Sequence, residues 1–200
     1  MSLFDSSEII KLPLQDAEIE YHPQFFGLEE ANALFDALYQ HTPWIEEDIR
    51  VYGKIYKQPR LTAFFANNQK TYGYSNISMT PQPFTPLLNA IKTKVEAATQ
   101  TEFSSCLLNL YRDGQDSNGW HADDEKELGI NPVIASVSLG AERAFHLKHK
   151  KIKILKHKLK LQNGSLLLMK NETQHHWLHQ IPKTKKPLDK RINLTFRLLK

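Results

Sequence analysis

Cysteine is almost missing from this chain: among 200 residues there is one, Cys106, inside the apolar run CLLNL. An internal disulfide is therefore excluded, and so are zinc and iron–sulfur sites built on several thiolates. Any metal must be held by histidine and carboxylate. Scarce cysteine also points to a reducing, intracellular compartment. No apolar run approaches the roughly 20 residues that span a bilayer. The N-terminus, MSLFDSSEII, lacks the basic-then-apolar order of a signal peptide. No membrane association is expected, the cytoplasm is the expected compartment with the nucleus left open, and a monomer is the expected state. Internal repeats, low-complexity linkers and Gly/Ser tracts are absent as well. Residues 1–200 therefore read as a single domain, and 40% hydrophobic content is enough for its core.

What the chain has in excess is lysine, concentrated in one place. The net charge is only +4, yet KHKKIKILKHKLK, from Lys148 to Lys160, carries seven lysines and two histidines. A second cluster, KTKK, runs from Lys183 to Lys186. Such clusters create a local positive potential that attracts polyanions. A solvated lysine-rich hairpin is the competing reading of the same residues.

Periodicity changes along the chain. In GLEEANALFDALYQ, residues Leu28, Ala31, Leu34, Phe35 and Leu38 recur at helical spacing. Leu87, Leu88, Ile91 and Val95 do so after Pro86, a helix-starting residue. The second half reads as short strands: SSCLLNLYR, VIASVSLG, AFHLKHK, KLKLQNGSLLLM and RINLTFRLL, punctuated by Gly, Pro, Asn and Asp. Helices first and strands afterwards predict an α+β chain whose C-terminal half is a small barrel or jelly roll.

The chemistry concentrates in GWHADDE. Side chains two apart on a strand share a face, so an extended HAD segment aims His121 and Asp123 together. A histidine and a carboxylate on one face are two thirds of the facial triad of non-haem Fe(II) oxygenases, which leaves positions open for co-substrate and oxygen. HxD alone is a weak signal and requires a distant histidine. QHHWLHQIP offers His175, His176 and His179, among which periodicity does not choose. In RINLTFRLL, residues Arg191, Asn193, Thr195 and Arg197 share one face and Ile192, Leu194, Phe196 and Leu198 the other. Burying that polar face is costly unless an anion meets it. Arginine forks onto carboxylates, so a dicarboxylate would satisfy it. Asn109 and Tyr111 form a second same-face polar pair. A solvent-facing strand side is the plain alternative for each set.

NLYRDG, GWHADDE, VIASVSLGAERAF, NGSLLLM, HHWLHQIP and RINLTFR follow the order found in the AlkB family of Fe(II)- and 2-oxoglutarate-dependent dioxygenases. The chain resembles that family from about Tyr52 to its C-terminus, and RxNxTFR is a specific mark of it. VYGKIYKQPR and TYGYSN further resemble the DNA-repair branch typified by the second AlkB homologue.

The resemblance implies a double-stranded β-helix (jelly roll) core with N-terminal helices and a substrate-recognition lid. Residues 1–104 would form the N-terminal helical and nucleotide-recognition part, and 105–200 the catalytic core. It implies Fe(II) with 2-oxoglutarate and O2 as co-substrates. His121, Asp123 and His179 match the iron ligands and hence the catalytic set. Arg191 matches the arginine that pairs with the distal carboxylate of 2-oxoglutarate. Asn109, Tyr111, Asn193, Thr195 and Arg197 match co-substrate contacts. Tyr52, Gly53, Lys54, Arg60, Tyr72, Tyr74, Asp124 and Glu125 match the substrate side, where a flipped base stacks beside His121.

The implied reaction hydroxylates an N-alkyl group on a base of the 1-methyladenine or 3-methylcytosine type. Formaldehyde is then released, with succinate and CO2 as co-products. Alkylated DNA is the implied partner, and RNA or single-stranded nucleic acid is the alternative. A non-catalytic nucleic-acid-binding jelly roll is a third reading, one that needs these motifs to coincide by chance. At position 52 the duplex-wedging residue of the relative is phenylalanine and here it is tyrosine, whose hydroxyl makes deep intercalation more costly.

Overall fold

Helices begin where local chemistry starts them. In the computed structural model, which describes residues 8–51, 54–67, 72–74 and 77–200, helix α1 spans Leu28–His41 and α2 spans Pro86–Thr99. Glu29 and Glu30 occupy the first turn of α1, favourable against the positive end of the helix dipole. Pro86 opens α2, and the Thr85 hydroxyl accepts from the Leu88 amide at 3.2 Å. Leu88, Ile91 and Val95 are buried as the spacing predicts, and so are Ala31 and Leu38 of α1. Leu34, Phe35 and Leu87 are half-buried against the same core, whereas Leu28, in the first turn of α1, is 69% exposed.

Strands β1 (Ile10–Lys11), β2 (Glu18–His22), β3 (Asp48–Val51), β4 (Lys54–Lys57), β5 (Leu61–Ala66), β6 (Tyr72–Tyr74) and β7 (Ile77–Met79) lie in the N-terminal half. Beyond α2 come β8 (Ser105–Tyr111), β9 (Asn118–His121), β10 (Ile134–Gly140), β11 (Arg143–His149), β12 (Lys156–Leu161) and β13 (Ser165–Lys170). A four-residue α3 (Thr173–His176), β14 (Trp177–Ile181) and β15 (Arg191–Arg197) complete the chain. All five predicted strand runs are present. The N-terminal part, expected to be helical, contains much strand as well. β5 escapes periodicity because LTAFFA is buried on both faces and does not alternate.

Among the described residues the strands form a seven-stranded antiparallel sheet, ordered β1-β2-β13-β10-β15-β8-β5, and a four-stranded one, β12-β11-β14-β9. Two ribbons, β3-β4 and β6-β7, stand apart from them. The large sheet separates two cores. On one face Leu108, Leu110, Val137, Leu166, Leu168, Ile192, Leu194 and Phe196 pack against α1 and α2. On the other, Leu107, Tyr111, Ile134, Leu167 and Met169 meet Phe145, Leu147, Trp177 and Ile181 of the small sheet. This is a jelly-roll core with helices on its outer side. The Gln162–Gly164 turn joins β12 to β13. Gly164 has φ +77°, and a Cβ there would collide with the Phe26 carbonyl. No helix among the described residues is long and apolar enough to cross a membrane.

Candidate active site

Between the two sheets lies a narrow cavity lined by residues of both. Its floor is the inner face of the large sheet. Asn109 and Tyr111 come from β8, Ser136 from β10, and Arg191, Asn193, Thr195 and Arg197 from β15. The two-residue period explains the set: Ile192, Leu194 and Phe196 turn to the helices, so their alternating partners turn inward. All four inward residues of β15 are buried, and the polar face meets the cavity instead of bulk solvent.

The small sheet supplies the opposite wall. His121 ends β9 and is the direct cross-strand partner of His179 on β14. Their ring centroids are 4.2 Å apart, and Phe145 stacks on His179 at 5.2 Å. Among the three candidate histidines the pleat decides: Trp177, His179 and Ile181 face inward. His175 and His176 lie in α3 instead. Asp123 follows the end of β9, so a bend rather than strand alternation brings it in. Its amide donates to Gln174 Oε1 at 2.9 Å, and its Oδ2 lies 3.5 Å from His179 Nε2. One ligand atom from each of His121, Asp123 and His179 falls within 4.8 Å of the other two.

Protonation states suit a divalent cation. His121 Nδ1 is 2.7 Å from the Gly119 carbonyl, which can only accept, so Nδ1 carries the hydrogen and Nε2 keeps its lone pair. Burial, reinforced by His179, pushes the His121 imidazole down to about 3, so at neutral pH it is uncharged. Burial alone would raise the Asp123 carboxyl, but the Arg197 guanidinium and then His179 hold it far below the usual carboxylate range. Arg197 Nη2 donates directly to Asp123 Oδ1.

The polar floor is prepared for an anion. Arg191 is 1% exposed. Its Nη2 donates to Ser138 Oγ at 2.8 Å, while Nε and Nη1 have no hydrogen-bond partner among the described residues. Buried donors of this kind are costly unless a ligand meets them. Asn193 Nδ2 donates to Ser136 Oγ and the Val137 carbonyl at 2.8 and 3.0 Å, and Thr195 donates to Asn193 Oδ1 at 3.0 Å. Ser136, Ser138 and Gln174 were not picked out from sequence. The alternation ASVSL already placed the two serines on one face.

The substrate-side candidates are dispersed. Arg60 is buried and lines the cavity, donating to Asn109 Oδ1 at 2.7 Å and the Ser117 carbonyl at 3.1 Å. Lys54, Tyr72 and Tyr74 lie on the ribbons, in β4 and β6. Tyr52 and Gly53 lie outside the described residues. Asp124 pairs with Lys150 at 3.0 Å, and neither it nor Glu125 lines the cavity.

A second cluster, Asp16, His149 and His176, also has ligand atoms within 4.8 Å of one another. Its geometry favours a clamp. His149 Nδ1 accepts from the amides of Lys151 and Ile152 at 3.1 and 2.9 Å, so Nε2 carries the proton and faces Asp16 Oδ2 at 3.3 Å.

Residues 18–197 match the model of the 2OG-Fe(II) oxygenase superfamily. Alpha-ketoglutarate-dependent dioxygenase alkB homolog 3 of Rattus norvegicus is 39% identical over 204 residues, covering 95% of this chain and 67% of the relative. DNA oxidative demethylase ALKBH2 of Homo sapiens is 37% identical over 182 residues, covering 86% and 70%. The solved structure of OsALKBH1 superposes with a TM-score of 0.69 at 16% identity, covering 96% of this chain and 100% of that one. The chain belongs to the AlkB family of 2OG-Fe(II) oxygenases. It is an Fe(II)/2-oxoglutarate-dependent dioxygenase that uses O2, with a buried His–Asp–His group able to hold the metal.

Proposed function

We propose that this enzyme oxidatively removes N-alkyl groups from nucleic-acid bases, of the 1-methyladenine and 3-methylcytosine type, as direct repair of DNA. The carrying observation is one cavity lined both by His121, Asp123 and His179 and by Arg191 with uncommitted donors. In this reading the first three hold the iron. Arg191 receives the distal carboxylate of 2-oxoglutarate, with Asn109, Tyr111, Asn193, Thr195 and Arg197 around the co-substrate. When bound, the iron and 2-oxoglutarate supply the activation of O2 and the oxidising power. The chain keeps His121 uncharged and Asp123 ionised, encloses the site, and orients both reactants.

Tyr52, Gly53, Lys54, Arg60, Tyr72, Tyr74, Asp124 and Glu125 serve the substrate side. Demethylase relatives support the substrate class, and so does a basic hairpin. Lys156, Lys158 and Lys160 are exposed on alternate positions of β12, as a phosphate-binding strand requires. A methyl on a Watson–Crick nitrogen weakens pairing, so the lesion lowers the cost of flipping its own base. Tyr52 favours a second reading, single-stranded DNA or RNA as the substrate, because a tyrosine hydroxyl resists insertion between stacked pairs.

The test is succinate and formaldehyde release on methyl-adenine and methyl-cytosine oligonucleotides, single- and double-stranded, in DNA and RNA. Asp123→Ala should abolish both products. So should Asp123→Asn, which still offers Arg197 an acceptor oxygen. Activity retained in either variant would remove the proposed iron site, and the strand preference of the wild type separates the two readings.

A further inference from the structure

Beside the cavity, on the small sheet, sits a charge that the reaction as described does not use. Arg143, the first residue of β11, is 2% exposed and does not line the cavity. Among the described residues its guanidinium donates to three backbone carbonyls: Nη1 to Asp113 at 3.0 Å, and Nη2 to Asp116 at 2.8 Å and Pro182 at 2.9 Å. The neighbouring carboxylates are committed elsewhere. Both Asp116 oxygens accept from Arg112, and Asp113 Oδ1 accepts from the amides of Gln115 and Asp116.

Arg143 and Arg191 share one aromatic ring. Their guanidinium carbons lie 5.4 and 5.1 Å from the centroid of Tyr111, both within cation–π range. Neither arginine forms an ion pair among the described residues, so two buried positive charges flank one tyrosine. Burial pushes Arg191 down to about 10, and Arg143 pushes in the same direction. Asp116 and Asp113 offset part of the Arg143 charge, but the two like charges still oppose each other across the ring, and an entering anion relieves that repulsion.

We propose that Arg143 is a positioning and specificity residue of the co-substrate site. It fixes Tyr111 against Arg191 and adds a second positive charge, so that this part of the cavity selects a 2-oxo acid with a carboxylate tail over one with an apolar tail. The inference rests on the reading that Arg191 receives the distal carboxylate. Arg143 also ties Pro182, just past the β14 strand of His179, to the loop at 113–116, and so holds the floor and the wall of the cavity together.

The experiment is calorimetric binding to the manganese-loaded protein, without turnover, of 2-oxoglutarate and of 2-oxopentanoate, which ends in a methyl group. Arg143→Gln should weaken 2-oxoglutarate by about tenfold or more and leave 2-oxopentanoate within about twofold, so the ratio of affinities collapses. Arg143→Lys keeps the charge without the fork and should preserve most of that ratio. Equal weakening of both ligands in Arg143→Gln, or a ratio lost in Arg143→Lys, overturns the proposal. Should the glutamine variant not fold, the lysine variant decides alone. Arg191→Gln tests the underlying reading separately: 2-oxoglutarate affinity unchanged there removes the distal-carboxylate assignment itself.

Discussion

Arg191 Nη2 donates to Ser138 Oγ, and that bond helps set which of the other guanidinium donors face the cavity. Removing the serine hydroxyl leaves the guanidinium buried but free to rotate. Ser138→Ala should therefore raise the KM for 2-oxoglutarate by about tenfold with kcat nearly unchanged, because an orienting bond to a charged group is lost and no reacting atom is touched. Steady-state kinetics at varied co-substrate checks this, and a fall in kcat at constant KM would contradict it. Asp123 illustrates a different residue-scale balance. Burial and the Arg197 charge oppose each other at one carboxyl, and the guanidinium prevails. At His121 burial, with His179 adding to it, outweighs the opposing pull of the Asp123 charge. Two groups in one pocket thus reach complementary states for opposite reasons.

At the scale of elements, β12 keeps two functions on two faces. His157, Leu159 and Leu161 turn inward, while Lys156, Lys158 and Lys160 are exposed. Lys148, opposite Lys156 on β11, lies 4.2 Å over the Trp120 ring, which is 39% exposed. Replacing Lys156, Lys158 and Lys160 with glutamine should flatten the slope of log affinity against log salt by about 1–2 for a single-stranded oligonucleotide. Lys160 contributes least, since Glu142 already pairs with it. Exposed side chains contribute little to stability, so the unfolding free energy should move by no more than about 0.5 kcal/mol. A salt titration of binding with a parallel denaturant melt separates the effects, and an unchanged slope would remove the strand from the nucleic-acid surface. The hairpin tip above this strand is held by the His149 acceptor, by the Lys150 amide on His176, and by Lys150 on Gln174 and Asp124. The segment after the His121–Asp123 pair is therefore fastened to the basic hairpin.

At the scale of the whole molecule, the site joins two sheets across a cavity whose charges are complete only with ligands. Manganese(II), which fills similar nitrogen and oxygen sites, should together with 2-oxoglutarate stabilise the fold. A ligand at a hundred times its Kd adds about 2.7 kcal/mol, which for a chain of this size is roughly 5–10 °C in Tm. A thermal melt with both ligands should show that rise and a chelator should reverse it. No rise would mean that the cavity does not bind them as a pair.

Much of this was legible in the residue order. The alternation in RINLTFRLL identifies both faces of β15 because a strand repeats every two residues, and Leu88, Ile91 and Val95 mark the buried side of α2 in the same way. HAD and the arginine strand carry the chemistry as local patterns, while the resemblance to the family rests on six motifs in their order. Other features were not legible. β5 is buried on both faces and has no period to read. Choosing His179 from residues alone needs the pairing of β14 with β9, a contact between segments some 60 residues apart. The arrival of Asp123 depends on a bend after β9, and the sharing of Tyr111 by Arg143 and Arg191 depends on strands from both sheets. The sequence by itself determined which residues could carry the chemistry and which faces they occupy, because those follow from periods within one element. Only the tertiary structure decided which of them meet, because burial and charge act between segments that the chain order keeps apart.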